Sequence, residues 1–129
     1  MDLRTQKKLG AVSLEYPRVI ETSSNPQWLL ETHRRALTKL EAVIMVGNLA
    51  IKHKWPVDMR FTAKCRSRGG TKNAKPWLKL NEHRISVGLV LHEFAHVIQY
   101  MTLKGSQPHG VEFVRILDNL VEEYFMHQV

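Results

Sequence analysis

The sequence contains a single cysteine, Cys65, among its 129 residues. One cysteine excludes an internal disulfide framework, and it also excludes a zinc ribbon, which needs several cysteines in paired spacing. Long apolar runs are absent as well, since none approaches the roughly 18 residues that cross a bilayer. The charged N-terminus MDLRTQKKLG is followed by no apolar segment of the kind that directs secretion. The sequence therefore predicts a cytoplasmic protein that is neither secreted nor inserted in a membrane.

Acidic residues are scarce in the middle of the chain. The formal net charge is +7, and from Lys52 to Lys79 there are nine Lys or Arg residues but one acid, Asp58. This segregation is typical either of a surface for an anionic partner such as DNA or of a solvated basic face. Trp77, which follows a proline, is more typical of packing against a neighbouring strand than of stacking on an exposed base. The candidate nucleic-acid contacts are Arg60, Lys64, Arg66, Arg68, Lys72 and Lys75.

Length and composition indicate one folded domain that covers residues 1–129. A single domain usually has roughly 100 to 150 residues. Hydrophobic residues make up 43% of the chain, which is ordinary for a globular protein and excludes a disordered one. We therefore expect one core.

In the N-terminal half of the chain, the sequence pattern predicts mainly helix. After a short strand expected at Val12–Tyr16, the string SSNPQWLL indicates a helix start, with Ser24 or Asn25 as the N-cap and a proline next. Apolar residues then recur at spacings of three and four, which predicts one long helix. It must end before Trp55-Pro56.

Two short strands are predicted after that helix. In VDMRFTAKCR apolar and polar residues alternate, as in a half-buried strand with a basic outer face. PWLKLN has Leu78 and Leu80 on one side, and SRGGTKN between the two segments predicts a flexible turn. The strands are thus expected to form a small antiparallel hairpin. Residues Trp77–Asn81 are typical either of an internal strand or of an exposed edge to which an extended peptide adds.

The string LHEFAH, at positions 91–96, lies within a helix predicted from Ile85 to Lys104, with Gly105 as a left-handed cap residue. A last helix is predicted from Gly110 to Tyr124. The expected fold class is therefore α+β: a long N-terminal helix, a small antiparallel hairpin or sheet, the LHEFAH helix and a C-terminal helix.

Two histidines of this string, His92 and His96, are four residues apart and so lie on one face of the helix. An apolar stripe that includes Phe94 and Val97 lies roughly opposite, and we expect the core to take that other face. The spacing, with Glu93 beside the first histidine, favours a zinc site over a structural role for the pair.

A catalytic zinc site usually has three protein ligands, so a third ligand must come from elsewhere in the chain. The metzincin pattern is excluded, because it requires a histidine at the position of Thr102. A glutamate ligand from the last helix, Glu122 or Glu123, stays open. His109 is the better candidate, because the chain leaves the LHEFAH helix at Gly105 and turns there before the last helix.

The strings HEFAH and HGVEF, separated by twelve residues, resemble the motif of the SprT-like zinc metallopeptidases. LKLN before the helix is also similar to a strand of that family, and the resemblance covers about half of the chain, Phe61–Ile116. It implies a zincin-like fold in which His92, His96 and His109 bind zinc and Glu93 is the catalytic glutamate. Many members also carry a C-terminal zinc ribbon, which this sequence lacks.

The implied activity is that of a zinc-dependent endopeptidase acting on proteins. A zinc-activated water would attack the peptide carbonyl, with Glu93 as the general base that returns the proton to the leaving amine. Four side chains are candidates for stabilising the oxyanion: Tyr100, His83, Tyr124 and Arg115.

Two other functions stay open. One is a nucleic-acid-binding module with a structural or vestigial zinc site, and the other is a zincin of another family with a glutamate as third ligand. Glu93 favours the enzyme, because a structural zinc site needs the histidines but has no use for a base beside them. The expected partners are a protein or peptide substrate and DNA, with the oligomeric state left open.

Overall fold

The computed structural model describes residues 17–127 and has a mixed α+β fold, with five helices and one three-stranded sheet in that part of the chain. The predicted strand at Val12–Tyr16 lies outside the described residues. The helices are α1 (Pro17–Thr22), α2 (Pro26–Arg34), α3 (Lys39–His53), α4 (Val87–Thr102) and α5 (Val111–Met126), and the strands are β1 (Asp58–Thr62), β2 (Arg68–Lys72) and β3 (Lys75–Asn81).

The long N-terminal helix predicted from the sequence is broken into α2 and α3, so that prediction was wrong. α2 begins as expected, because the Asn25 side chain accepts a hydrogen bond from the backbone N–H of Trp28. Between the two helices the backbone instead pairs with the segment that precedes α4, where the N–H of Leu37 donates to the carbonyl of Ile85 at 3.0 Å. This long-range pairing replaces the helical hydrogen bonds of a continuous helix.

α3 begins with a capping box, which the sequence TKLE already encodes. The Thr38 side chain accepts from the N–H of Glu41, and the Glu41 carboxylate accepts from the N–H of Thr38 at 2.9 Å. The helix ends at the left-handed residue Lys54 (φ 60°). Its end before Trp55-Pro56 is as predicted.

The sheet has the strand order β1-β3-β2. β2 and β3 form an antiparallel hairpin whose two turn residues, Asn73 and Ala74, have φ values of 53° and 61°, as a type I′ turn requires. β1 pairs with β3 in parallel. RGGTK, the middle of the predicted flexible turn SRGGTKN, is therefore a strand, and the predicted antiparallel pairing of the VDMRFTAKCR and PWLKLN segments was wrong.

The parallel pairing has a simple cause in the path of the chain. The chain reverses direction once between β1 and β2 and again between β2 and β3, so β1 and β3 run the same way. Because β2 pairs with one side of β3 and β1 with the other, β3 is the central strand, and its residues Trp77–Lys79 are paired on both sides. Beyond the end of β2, the N–H of Asn81 donates to the hydroxyl of Ser67. Leu78 and Leu80 lie on one side of the strand, as predicted, and both are buried in the core.

Helix α4 runs through the centre of the molecule. Every residue from Val87 to Val97 is buried, and the helix contacts α2, α3, α5, β2 and β3. The expectation that the core takes only the face opposite the histidines was wrong, because α5 packs over the histidine side through Phe113. The imidazoles of His92 and His96 are thus enclosed in the protein rather than presented on a surface.

The connection from α4 to α5 follows the prediction closely. Gly105 has a φ of 85°, and α5 begins after Gly110, which is its N-cap residue. None of the helices between residues 17 and 127 is long and apolar enough to cross a membrane.

Candidate metal centre

Two buried imidazoles on α4 form the first part of the site. His92 and His96 are 2% and 6% exposed, and their ring centroids lie 5.0 Å apart on successive turns of the helix. The four-residue spacing brings them together, as predicted, because helical side chains at i and i+4 lie one above the other.

His109 completes the cluster from the turn before α5. Its Nε2 atom lies 2.9 Å from Nε2 of His96, and its ring centroid lies 5.3 Å from that of His92. The ligand atoms of the three residues all lie within 4.8 Å of one another. They are therefore close enough to bind one metal ion.

Phe113 forms one wall of the cluster, a role that the sequence interpretation missed. Its ring centroid lies 4.9 Å from that of His92, 4.4 Å from that of His96 and 5.0 Å from that of His109. Phe113 lies in the last helix, as predicted, but helical periodicity could not identify what its ring contacts. The aromatic ring limits how the three imidazoles can move.

Gln99 is a second residue that sequence reasoning did not single out. It is fully buried, and its Oε1 lies 3.3 Å from Nδ1 of His96. Its Nε2 donates to the hydroxyl of Ser106 at 2.9 Å and to the carbonyl of Gln107 at 2.6 Å. The spacing of three from His96 was a usable signal, because residues at i and i+3 share a helix face.

The buried imidazoles are neutral at ordinary pH. Burial, reinforced by the charges of His96 and His109, holds the pKa of His92 well below its usual value of 6.5. Burial and His109 also lower the pKa of His96 to about 4, against an opposing effect of its hydrogen bond with Gln99. Neutral imidazole is the form that binds zinc, so the donor set fits this ion.

A fourth histidine, His33 on α2, lies behind the cluster. A Cβ atom added to Gly88 would come within 2.6 Å of the His33 ring, so only glycine fits at that point of α4. Burial lowers the pKa of His33 to about 4, and its proximity helps to lower the pKa of His92. No short-range sequence pattern links these residues.

Glu93 is buried beside the first histidine, with 4% of its surface exposed. Strand β2 approaches its backbone very closely, because a Cβ atom at Gly69 would overlap the carbonyl oxygen of Glu93. Gly69 thus lets β2 lie directly against the helix that carries the histidines.

The other candidates from the sequence lie apart from the three imidazoles. Glu123 contacts Lys52 at 3.0 Å and His53 at 3.1 Å, and Glu122 is exposed. The histidine pair is therefore joined by His109 and not by either glutamate.

Among the four oxyanion candidates, Tyr100 is the one that contacts the cluster. Its ring stacks on that of His96 at a centroid distance of 5.7 Å. The hydroxyl of Tyr124 instead accepts a hydrogen bond from Arg35. His83 and Arg115 are exposed.

The basic residues lie on the opposite side of the sheet from α4. Arg60 on β1, Lys79 on β3 and Arg68 on β2 are direct cross-strand neighbours and so form one row on the outer face. Trp77, in the next row, covers Gly70 of β2. We call this surface the outer sheet face. Of the other predicted contacts, Lys72 and Lys75 are exposed at the hairpin end, whereas Lys64 and Arg66 lie beyond the end of β1, in the loop that leads to β2.

Comparisons with known proteins identify no family for this chain. The chain matches no family model, no curated protein and no solved structure. Within residues 17–127, the cluster of His92, His96 and His109 is the group of side chains with the geometry of a metal site.

Proposed function

We propose that this protein is a zinc-dependent endopeptidase. The observation that carries the proposal is the convergence of three imidazoles, those of His92, His96 and His109, directly beside the buried glutamate Glu93. This donor set is that of catalytic zinc sites with three histidine ligands. It is also the set implied by the resemblance of HEFAH and HGVEF to SprT-like peptidases.

The number of donors supports a catalytic rather than a structural site. Structural zinc sites are closed by four protein ligands, whereas catalytic sites keep one position open. Among residues 17–127, the cluster of potential ligands contains His92, His96 and His109 and no fourth His, Cys, Asp or Glu.

Each residue has a distinct task in this proposal. A zinc ion held by the three imidazoles would lower the pKa of water and polarise a peptide carbonyl. Glu93 would take a proton from the attacking water and return it to the leaving amine. Phe113 holds the imidazoles in place, and the stacked Tyr100 is the preferred candidate for stabilising the oxyanion.

The substrate would be an extended segment of polypeptide. Among the described strands β2 pairs only with β3, so its other edge carries unpaired backbone groups within the sheet, and the same strand lies against Glu93 at Gly69. A peptide adding to β2 would be bound through its main chain with little sequence selectivity. This edge replaces the segment Trp77–Asn81 as the proposed binding edge.

The test separates catalysis from metal binding. Glu93→Gln removes the proposed base but no metal ligand, so the variant should retain its zinc and lose cleavage of an unfolded protein substrate. Glu122→Gln makes the same chemical change at an exposed site on α5 and should keep full activity. Equal cleavage by wild type and Glu93→Gln would refute the enzyme proposal, because the base would then be dispensable.

A second candidate activity is binding of nucleic acid on the outer sheet face. Lys79 and Arg68, in a row with Arg60, which pairs with Asp58 at 3.3 Å, offer positive charge beside the aromatic ring of Trp77 in the next row. Such a surface follows a phosphate backbone without reading sequence. Because this face and α4 lie on opposite sides of the sheet, the two activities would use separate surfaces.

A further inference from the structure

We propose that Gln99 is a positioning residue that prepares the site for zinc, by selecting the tautomer of His96 and anchoring the turn that carries His109. The proposal rests on the zinc site proposed above, but not on peptidase activity. It concerns one buried side chain that contacts both the second histidine and the turn before the third.

The orientation of the Gln99 amide is determined by a backbone carbonyl. The oxygen of Gln107 can only accept a hydrogen bond, and it lies 2.6 Å from one end of the amide, so that end must be the NH₂ group. The same NH₂ group donates to Ser106 at 2.9 Å. The amide oxygen therefore faces His96.

This orientation selects the tautomer of His96. An amide oxygen can only accept, so Nδ1 of His96 must carry the proton of the neutral ring. Nε2 of His96 then has a lone pair, and this atom is the one that faces Nε2 of His109 at 2.9 Å. The tautomer required for binding metal through Nε2 is thus already present without the ion.

The same amide holds the turn from which His109 projects. The carbonyl of Gln107 accepts from both Gln99 and the N–H of Gly110, so the two residues that flank Pro108-His109 are tied together and to α4. Ser106, also bound by Gln99, donates from its hydroxyl to the carbonyl of Leu103. Without Gln99, the turn would keep its local hydrogen bonds but lose this connection to the core.

The experiment combines zinc affinity with the tautomer of His96. Gln99→Met replaces the amide by an apolar chain of similar length, and zinc affinity, measured by competition with a chromophoric chelator, should fall about 10- to 100-fold. Two-bond ¹⁵N–¹H NMR of the zinc-free protein should show the Nδ1–H tautomer of His96 in wild type and a loss of this preference in Gln99→Met.

The matched control is Gln107→Ala, which changes the same residue type within the anchored turn but keeps the backbone carbonyl that Gln99 uses. Its zinc affinity should stay within about threefold of wild type.

The outcomes distinguish this inference from the proposed function. An Nε2–H tautomer of His96 in the zinc-free wild type would overturn the role of Gln99 without any variant having to fold. Wild-type zinc affinity in Gln99→Met would overturn it as well. Tight zinc binding that depends on Gln99, in a protein that cleaves no peptide, would support this inference and refute the peptidase. A wild-type chain that binds no zinc would overturn both.

Discussion

The close approach of strand β2 to helix α4 predicts a large effect for one added methyl group. In Gly69→Ala the new Cβ atom would lie well under 3.0 Å from the carbonyl oxygen of Glu93, a separation that real Cβ atoms do not show. The obstacle is backbone in the middle of a buried helix, so it cannot rotate away as a flexible side chain would. We therefore expect a cost at the upper end of the range for overpacking, about 3 kcal/mol.

The matched control is Gly47→Ala, in the middle of α3. A Cβ atom there meets nothing within 4 Å, so alanine should stabilise the helix by roughly 0.5–1 kcal/mol through its better helix propensity. The same substitution is thus predicted to have opposite signs at Gly69 and Gly47.

Urea denaturation followed by circular dichroism measures both variants against wild type, with thermal unfolding as a second assay. For a chain of this size 1 kcal/mol corresponds to roughly 3–5 °C, so Gly69→Ala should lower the midpoint by roughly 10 °C and Gly47→Ala should raise it slightly. If the Gly69→Ala midpoint equalled that of wild type, β2 would not lie against the Glu93 backbone, and the argument for the binding edge would fail with it.

Two further predictions concern protons and salt. Burial lowers the pKa of His33 from 6.5 to about 4, so its contribution to stability is complete above pH 6.5 and is lost as the pH falls through 4, because the unfolded chain takes up the proton first. The free energy of unfolding, measured in urea with a chelator present, should therefore fall between pH 7 and pH 5 by roughly 2 kcal/mol less in His33→Gln than in wild type. The same pH dependence in both proteins would contradict this prediction. Replacing Arg60, Arg68 and Lys79 together by Ser should reduce the slope of log affinity for single-stranded DNA against log salt by roughly 2, while no binding by wild type at low salt would remove the outer sheet face as a nucleic-acid site.

The candidate site was predicted better than the sheet. His92 and His96 could be paired from their spacing alone, because the helix repeat is a local property of the backbone. His109 required the chain path as well, since a turn after Gly105 had to bring it back over α4. The structure places it 2.9 Å from His96, and the proposed glutamate ligands lie elsewhere.

The pairing of the strands could not be predicted from the alternation of apolar and polar residues. Alternating residues in DMRFT predicted a strand but carried no information on its partner, and the glycine pair of RGGTK is typical of turns as well as of a strand that lies close to other backbone. The identity of the turn residues was also misleading, since Asn73 is common in type I′ turns but Ala74 is not. The hairpin was therefore assigned to the wrong pair of segments.

The break between α2 and α3 shows a competition between local and long-range hydrogen bonds. Apolar spacing favoured a continuous helix, and the capping box at Thr38 and Glu41 was the local signal against it. No local sequence pattern could predict the pairing of Leu37 with Ile85, because these residues are 48 positions apart in the chain.

By itself, the sequence determined the local features: that His92, Glu93, His96 and Gln99 lie on one helix, and that Gly105 allows the chain to turn after it. Only the tertiary structure decided which groups meet that helix. Phe113 closes the cluster, and Gln99 contacts the turn before His109, because packing brings α5 over the histidine side of α4. Helix periodicity follows from backbone geometry within a few residues, whereas these contacts depend on the relative positions of whole elements, which no short sequence pattern records.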